Sequence, residues 1–353
     1  MLAKRTGFNK EPIRDVTAFD DVKLHPSVIV NEINPGDKTL TLNLTNRGGG
    51  IGRVQVFVNG KELLADARGA KPDSGAKQST LTVDLVGSTI VQGKPNTVEV
   101  VAWNAEGYLS SRGLVREWTP EGAADRNPPE LYVIVCGVSD YAEPKLNPRY
   151  AAKDAEDIAH ALELAGKRLF GADKVHLTLL STKGAGQASK PTKENIRKAF
   201  EAARKARSTD VLVIYLAGHE VALKRVGDEY CYLTSDARST DAAALSDPAV
   251  LASSTVISNE LVDWIKQIPA LKQVMLLDTC AAGAAAARLL EHRNLSGDQI
   301  RAMDRLKDRT GFHVLMGCSA DRVSYEASQY SQGLLTYSLL NGGSQAARES
   351  TWT

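Results

Sequence analysis

The hydrophobic period of this chain changes once, and that change decides what the two halves can fold into. From about Leu24 to Trp118, apolar and polar residues alternate in short runs such as Thr39-Leu40-Thr41-Leu42-Asn43-Leu44, Val54-Gln55-Val56-Phe57-Val58 and Leu81-Thr82-Val83-Asp84-Leu85. Alternation with β-branched residues predicts strands with one buried face. Turn signals punctuate the runs at Asn34-Pro35-Gly36-Asp37, Asn46-Arg47-Gly48-Gly49-Gly50 and Asn59-Gly60, the last favouring a tight hairpin. About seven short strands over roughly 95 residues predict an all-β sandwich, immunoglobulin-like in architecture. The stretch contains no cysteine, so the Cys-Trp-Cys pattern of antibody domains is absent.

Thr119 to Pro129 ends the alternation, because its prolines and small residues continue neither element type. Beyond it whole elements alternate. Apolar strands are expected at Leu131–Val138, Val175–Leu180, Val211–Ala217, Gln273–Leu277 and Phe312–Gly317. Amphipathic helices are expected near Tyr150–Leu164, from the N-cap Thr192 onward, near Ser258–Gln267 and near Gly333–Leu340. Such a pattern predicts an αβα sandwich around a mostly parallel sheet covered on both faces. The organisation read from this is an extension at 1–23, a β-sandwich at 24–118, a linker at 119–130, an α/β domain at 131–343 and a tail at 344–353.

With 353 residues, two cores are expected. A net charge of +1 gives no global attraction to nucleic acid or to acidic membranes. No apolar stretch approaches a membrane span, and the first residues lack the apolar core of a signal peptide, so a cytoplasmic protein is expected. Cys136, Cys231, Cys280 and Cys318 have no paired CxxC spacing, which argues for reduced thiols over a zinc site or a disulfide framework. The remaining histidines are scattered without ligand spacing. Gly184-Ala185-Gly186-Gln187 is followed by no helix and makes no phosphate cradle. No metal, cofactor or nucleotide site is expected.

The chemistry falls on two strand ends. Gly218-His219 closes the run Val211–Ala217, and Asp278-Thr279-Cys280-Ala281-Ala282-Gly283 closes Val274–Leu277. Parallel sheets bind ligands beyond the carboxyl ends of their strands, where loops converge. A histidine and a cysteine both placed at that rim suggest a thiolate and its base, hence a cysteine hydrolase. Taken singly, either residue is more simply structural.

These two motifs, with the strand Leu131–Val138, the following Ala152-Lys153-Asp154-Ala155 and the later Gly317-Cys318-Ser319-Ala320, resemble in identity and order the caspase-like cysteine peptidases, including metacaspases and bacterial orthocaspases. The resemblance covers roughly Leu131 to Leu340. Histidine and cysteine stand 61 residues apart, near the interval of about 50 in caspases. It implies Cys280 as nucleophile, His219 as general acid/base, and an oxyanion site built from the backbone N–H groups of Cys280 and Glu220. Most family members have glycine after the histidine, and a carboxylate there would oppose developing negative charge.

The resemblance further implies that Asp154 and Asp278 line the pocket for the residue before the scissile bond. Two carboxylates favour arginine or lysine there. Asp236 and Ser319 are placed with the substrate-binding residues. Arg288, Arg293, Arg301, Arg305, Lys307 and Arg309 occupy the position of the intersubunit linker of caspases, so cleavage there would mature the enzyme. A protein substrate and a partner for the sandwich are expected, with calcium activation as a family option. The competing expectation is a silent scaffold disabled by Glu220; another thiol hydrolase on the same framework ranks last.

Overall fold

The computed structural model describes residues 22–87, 89–184, 189–223, 229–241, 243–281, 313–317, 326–327 and 331–349. Its first part contains strands β1 (Ser27–Val30), β2 (Thr39–Thr45), β3 (Val54–Val58), β4 (Lys61–Leu64), β5 (Gln78–Asp84), β6 (Asn96–Ala102) and β7 (Leu114–Trp118). They form two antiparallel sheets, ordered β1-β2-β5 and β4-β3-β6-β7. Leu40, Leu42 and Leu44 from one sheet and Val54, Val56, Val58, Val98 and Val100 from the other share a single buried core. Their spacing of two residues is what places every one of them on the inner face. Asn59 and Gly60 both take positive φ, 53° and 79°, and turn β3 tightly into β4.

The second part is an α/β domain. Its elements in chain order are β8 (Leu131–Gly137), α1 (Ala151–Phe170), β9 (Val175–Ser181), α2 (Lys193–Ala203), β10 (Val211–Leu223), β11 (Glu229–Leu233), α3 (Pro248–Ser254), β12 (Thr255–Ile257), α4 (Ser258–Lys266), β13 (Lys272–Ala281), β14 (His313–Met316), β15 (Glu326–Ala327), β16 (Gln332–Gly333) and α5 (Leu334–Glu349). β9, β8, β10, β13 and β14 pair in parallel, and β11 and β12 add antiparallel strands to the far end of β10. One face packs on α2 and α4 through Ile196, Phe200, Leu261 and Ile265, and the other on α1 through Ala151, Ala155, Ile158 and Ala159. Burial on both faces explains why β8 is apolar throughout. Thr192 caps α2, accepting a hydrogen bond from the Asn195 N–H at 3.2 Å.

Three boundaries differ from expectation. β10 runs on past Ala217 to Leu223, because Glu220 to Leu223 find new partners in β11, at Tyr232 back to Glu229. β13 likewise reaches Ala281. Gly218, with φ of 140°, is a twist inside β10 and not its end. α5 continues past Leu340 to Glu349.

The hairpin that follows β3 also joins the two domains. Lys61 and Glu62, next to the turn, are buried. The Lys61 ammonium donates to the Ile268 carbonyl at 2.5 Å, and Glu62 pairs with Lys266 at 2.9 Å. Burial lowers the Lys61 amine to about 7. Removing one member of a buried ion pair strands its partner. Glu62→Ala is therefore expected to lower the unfolding free energy by about 2 kcal/mol, less than the roughly 3–5 kcal/mol of a fully buried pair because Lys266 keeps some solvent. Urea titrations of Glu62→Ala, Lys266→Ala and the double variant check this; additive losses would mean the two side chains do not interact.

Candidate active site

β10 and β13 run side by side in register, with Ala217 opposite Asp278, Gly218 opposite Thr279, His219 opposite Cys280 and Glu220 opposite Ala281. Neighbouring strands lie about 4.8 Å apart. The histidine and the cysteine are therefore cross-strand neighbours by backbone register. Neither stands at a strand end, since both ladders continue to Glu220 and Ala281.

His219 is held from three directions. Its backbone N–H donates to the Tyr141 hydroxyl at 2.8 Å, and its ring stacks on Tyr141 with centroids 5.3 Å apart and planes 21° from parallel. Its Nε2 lies 2.6 Å from the Leu146 carbonyl oxygen. A carbonyl can only accept, so Nε2 carries a proton, and in the neutral ring the basic lone pair is then on Nδ1. A side chain at 218 would collide with the Tyr141 hydroxyl, since a Cβ there would lie 2.8 Å from it. Glycine before the histidine thus permits both the φ of 140° and the close approach of Tyr141.

The two predicted pocket acids converge. Asp154, in the first turn of α1, is 2% exposed, and Asp278 on β13 is 7% exposed. Asp154 Oδ2 accepts from the Gly333 N–H at 2.8 Å, while its Oδ1 is buried with no hydrogen-bond donor among the described residues. Asp278 Oδ2 accepts from Thr336 at 2.8 Å and from Tyr215 at 3.2 Å. A Cβ on Gly333 would come within 2.9 Å of a carboxyl oxygen of each acid, so the two carboxyls face each other across one glycine. Burial, helped by the negative charge of Asp278, pushes the Asp154 carboxyl up to about 7 against the pull of the Gly333 N–H.

Glu220 faces away from this pair. Its carboxyl, 6% exposed, accepts from the Thr279 hydroxyl. The Tyr230 hydroxyl approaches the same carboxyl without completing hydrogen-bond geometry. Burial raises Glu220 to about 7, with Thr279 and Tyr230 opposing the rise. The expected carboxylate at the strand rim is instead a buried group near its own midpoint at neutral pH. Glu220 also lacks positive φ, so no backbone strain arises from its side chain. Its backbone lies between paired strands, where N–H groups serve the ladder.

Asp236 is not brought to the acidic pair; it is exposed on the turn after β11, with Lys190 as the charge beside it. Ser319 and Arg288, Arg293, Arg301, Arg305, Lys307 and Arg309 lie outside the described residues. Sequence reading missed Tyr141, the Leu146 carbonyl, Tyr215, Gly333 and Thr336. Tyr215 carried a signal, since a phenol inside an otherwise aliphatic strand needs a polar partner. No group of three or more His, Cys, Asp or Glu among the described residues could hold a metal ion.

Raised carboxyls fix a direction for pH dependence. Asp154 and Glu220 bind protons more tightly folded, near 7, than at their ordinary values of 3.8 and 4.5. The folded state therefore holds the excess protons, and stability present at low pH is lost as pH rises through 7. Urea midpoints should fall from pH 5 to pH 7, and Glu220→Gln should flatten the fall. A midpoint that rises over this interval would contradict the assignment.

The parallel sheet between helices carries the histidine and the cysteine on adjacent strands. The family model described as the caspase domain (peptidase C14) matches residues 131–351, and the chain belongs to this cysteine peptidase family. Comparison with curated proteins gives no match. Among solved structures, a SusE-like protein is 14% identical, with 33% of this chain and 38% of that chain covered and a TM-score of 0.17. A putative polysaccharide deacetylase from Bacillus anthracis is 11% identical over 82% and 80% of the two chains, at a TM-score of 0.20. A polysaccharide deacetylase from Bacillus cereus is 12% identical over 87% and 86%, at 0.22. Scores this low carry no argument. No helix among the described residues is long and apolar enough to cross a membrane.

Proposed function

We propose that the protein is a cysteine endopeptidase that cuts polypeptides after arginine or lysine, with Cys280 as nucleophile and His219 as general acid/base. The observation that carries this reading is the register of His219 against Cys280, together with the Nε2–H bond to Leu146 that leaves Nδ1 as the base. His219 takes the thiol proton, and the thiolate adds to the scissile carbonyl. As the tetrahedral intermediate collapses, the C–N bond breaks and the imidazolium gives its proton to the leaving amine. Water, deprotonated by the same imidazole, then hydrolyses the thioester and restores the thiol.

Stabilising the oxyanion from the N–H groups of Glu220 and Cys280 requires those two N–H groups to leave their ladder bonds while β10 and β13 stay in register, because both residues lie within paired strands. Asp154 and Asp278 supply the negative pocket for the basic side chain, and its entry requires Gly333 to withdraw from between them. Both requirements describe an enzyme that rests in a closed form and opens when activated. Cleavage in the segment 288–309 is the proposed trigger, and calcium a further one to test. Protein substrates, a partner bound by the sandwich and a cytoplasmic location belong to the same proposal.

Incubating the full chain with peptides containing arginine, lysine and aspartate, and identifying products by mass spectrometry, tests the reading. Cuts after basic residues that vanish in Cys280→Ala support it. Equal product from the variant, or cuts after aspartate, would overturn it. The silent-scaffold reading loses its main argument, since the Glu220 carboxyl is buried against Thr279 and not presented at the rim.

A further inference from the structure

Glu220 is buried at a price that packing alone does not explain. An apolar residue would fill its site without the penalty of desolvating a carboxyl, and buried polar contacts of this kind more often fix a geometry than add stability. The contact it makes has a specific location. Thr279 lies opposite Gly218, and because glycine presents no side chain, the threonine hydroxyl reaches the diagonal neighbour Glu220 two residues along β10. On the other side of β10, Tyr230 lies opposite Ala222 and approaches the same carboxyl. Three strands thus meet at one carboxyl.

The two hydrogen-bonded residues are the immediate neighbours of the proposed dyad. Glu220 follows His219, and Thr279 precedes Cys280. We propose that the Glu220–Thr279 contact is a cross-strand tie that holds His219 and Cys280 in catalytic register, which makes Glu220 and Thr279 positioning residues. The proposal rests on the dyad reading given above. The tie also gives Glu220 a use in this chain at a position where a glycine would have no side chain to offer.

The test is the rate at which iodoacetamide alkylates Cys280 between pH 5 and pH 9, followed by mass spectrometry on the full chain, with the buried Cys136 and Cys231 as internal controls. A thiol paired with an imidazole reacts at a pH below the ordinary thiol midpoint of about 8.5. Glu220→Ala and Thr279→Val are each expected to slow the reaction at pH 6 by about tenfold, the loss of one buried hydrogen bond, and to move the midpoint upward. Glu220→Gln and Thr279→Ser keep an acceptor and a donor and are expected to stay within about twofold of the parent protein. The double variant Glu220→Ala/Thr279→Val should be no slower than either single one.

Peptide cleavage should follow the same pattern in kcat, with KM unchanged. Identical profiles in all variants, additive losses in the double variant, or a Gln variant as slow as Ala would each overturn the proposal. His219→Ala separates the two levels: if it leaves the Cys280 profile unchanged, the dyad itself fails. If it raises the midpoint while Glu220→Ala does not, only the tie fails.

Discussion

Cys280→Ala is expected to lower kcat/KM for an arginyl peptide by at least about 10⁴-fold, leaving the thermal transition essentially where it was. The size follows from the chemistry: without sulfur no thioester forms, and what remains is binding and whatever the pocket does to polarise the carbonyl. His219→Ala should cost nearly as much, because the thiol then loses both its base and the acid that protonates the leaving amine. Groups that act in one step do not add, so the double variant should be no worse than Cys280→Ala. Side-by-side progress curves for the three variants check the result. Activity surviving in Cys280→Ala would place the nucleophile elsewhere, and a loss in His219→Ala far smaller than in Cys280→Ala would remove the histidine from the chemistry.

The elements that carry this prediction were largely legible in the sequence, and the reason is periodicity. β8 and the first part of β10 are apolar at every position because both faces are covered, and that pattern survives any detail of packing. Strand ends were harder. Gly218 reads as a stop signal, yet β11 offers Glu220-Val221-Ala222-Leu223 a pairing partner, and tertiary pairing outweighs a local break. The place of the Glu220 carboxyl was hidden for the same reason. Sequence reading puts that carboxylate beside the oxyanion, whereas a residue inside a three-strand contact has its carboxyl buried. Tyr141 and Thr336 come from loops and helices distant in sequence, and only the fold brings them to His219 and Asp278. Resemblance pairs Asp154 with Asp278; their meeting point at Gly333 is set by the fold alone.

The second large effect concerns that meeting point, and its signature is a pH dependence that differs between the two acids. Asp278→Asn keeps an oxygen to accept from Thr336 and Tyr215, so the anchoring contacts persist while the charge is lost. A charge-assisted contact to a guanidinium is worth about 1.5–3 kcal/mol, so kcat/KM for an arginyl peptide should drop by roughly 10- to 150-fold. Asp154→Asn should behave differently. Burial holds the Asp154 carboxyl near 7, so at pH 6 much of it is already neutral and the substitution removes little; at pH 8 it is ionised and the substitution removes a full charge. The ratio of parent to Asp154→Asn activity should therefore grow from pH 6 to pH 8, with the parent itself gaining on arginyl substrates over the same range. The same acids also sit at the start of α5, where anions stabilise a helix N-terminus whether or not any substrate binds. Stability and specificity thus make separable claims on the pair. If both Asn variants lose thermal stability yet cleave arginyl peptides as the parent does at pH 8, the carboxyls serve α5 alone and the basic-residue pocket lies elsewhere; if activity falls with the predicted pH signature while the melting transition holds, the pair reads the substrate.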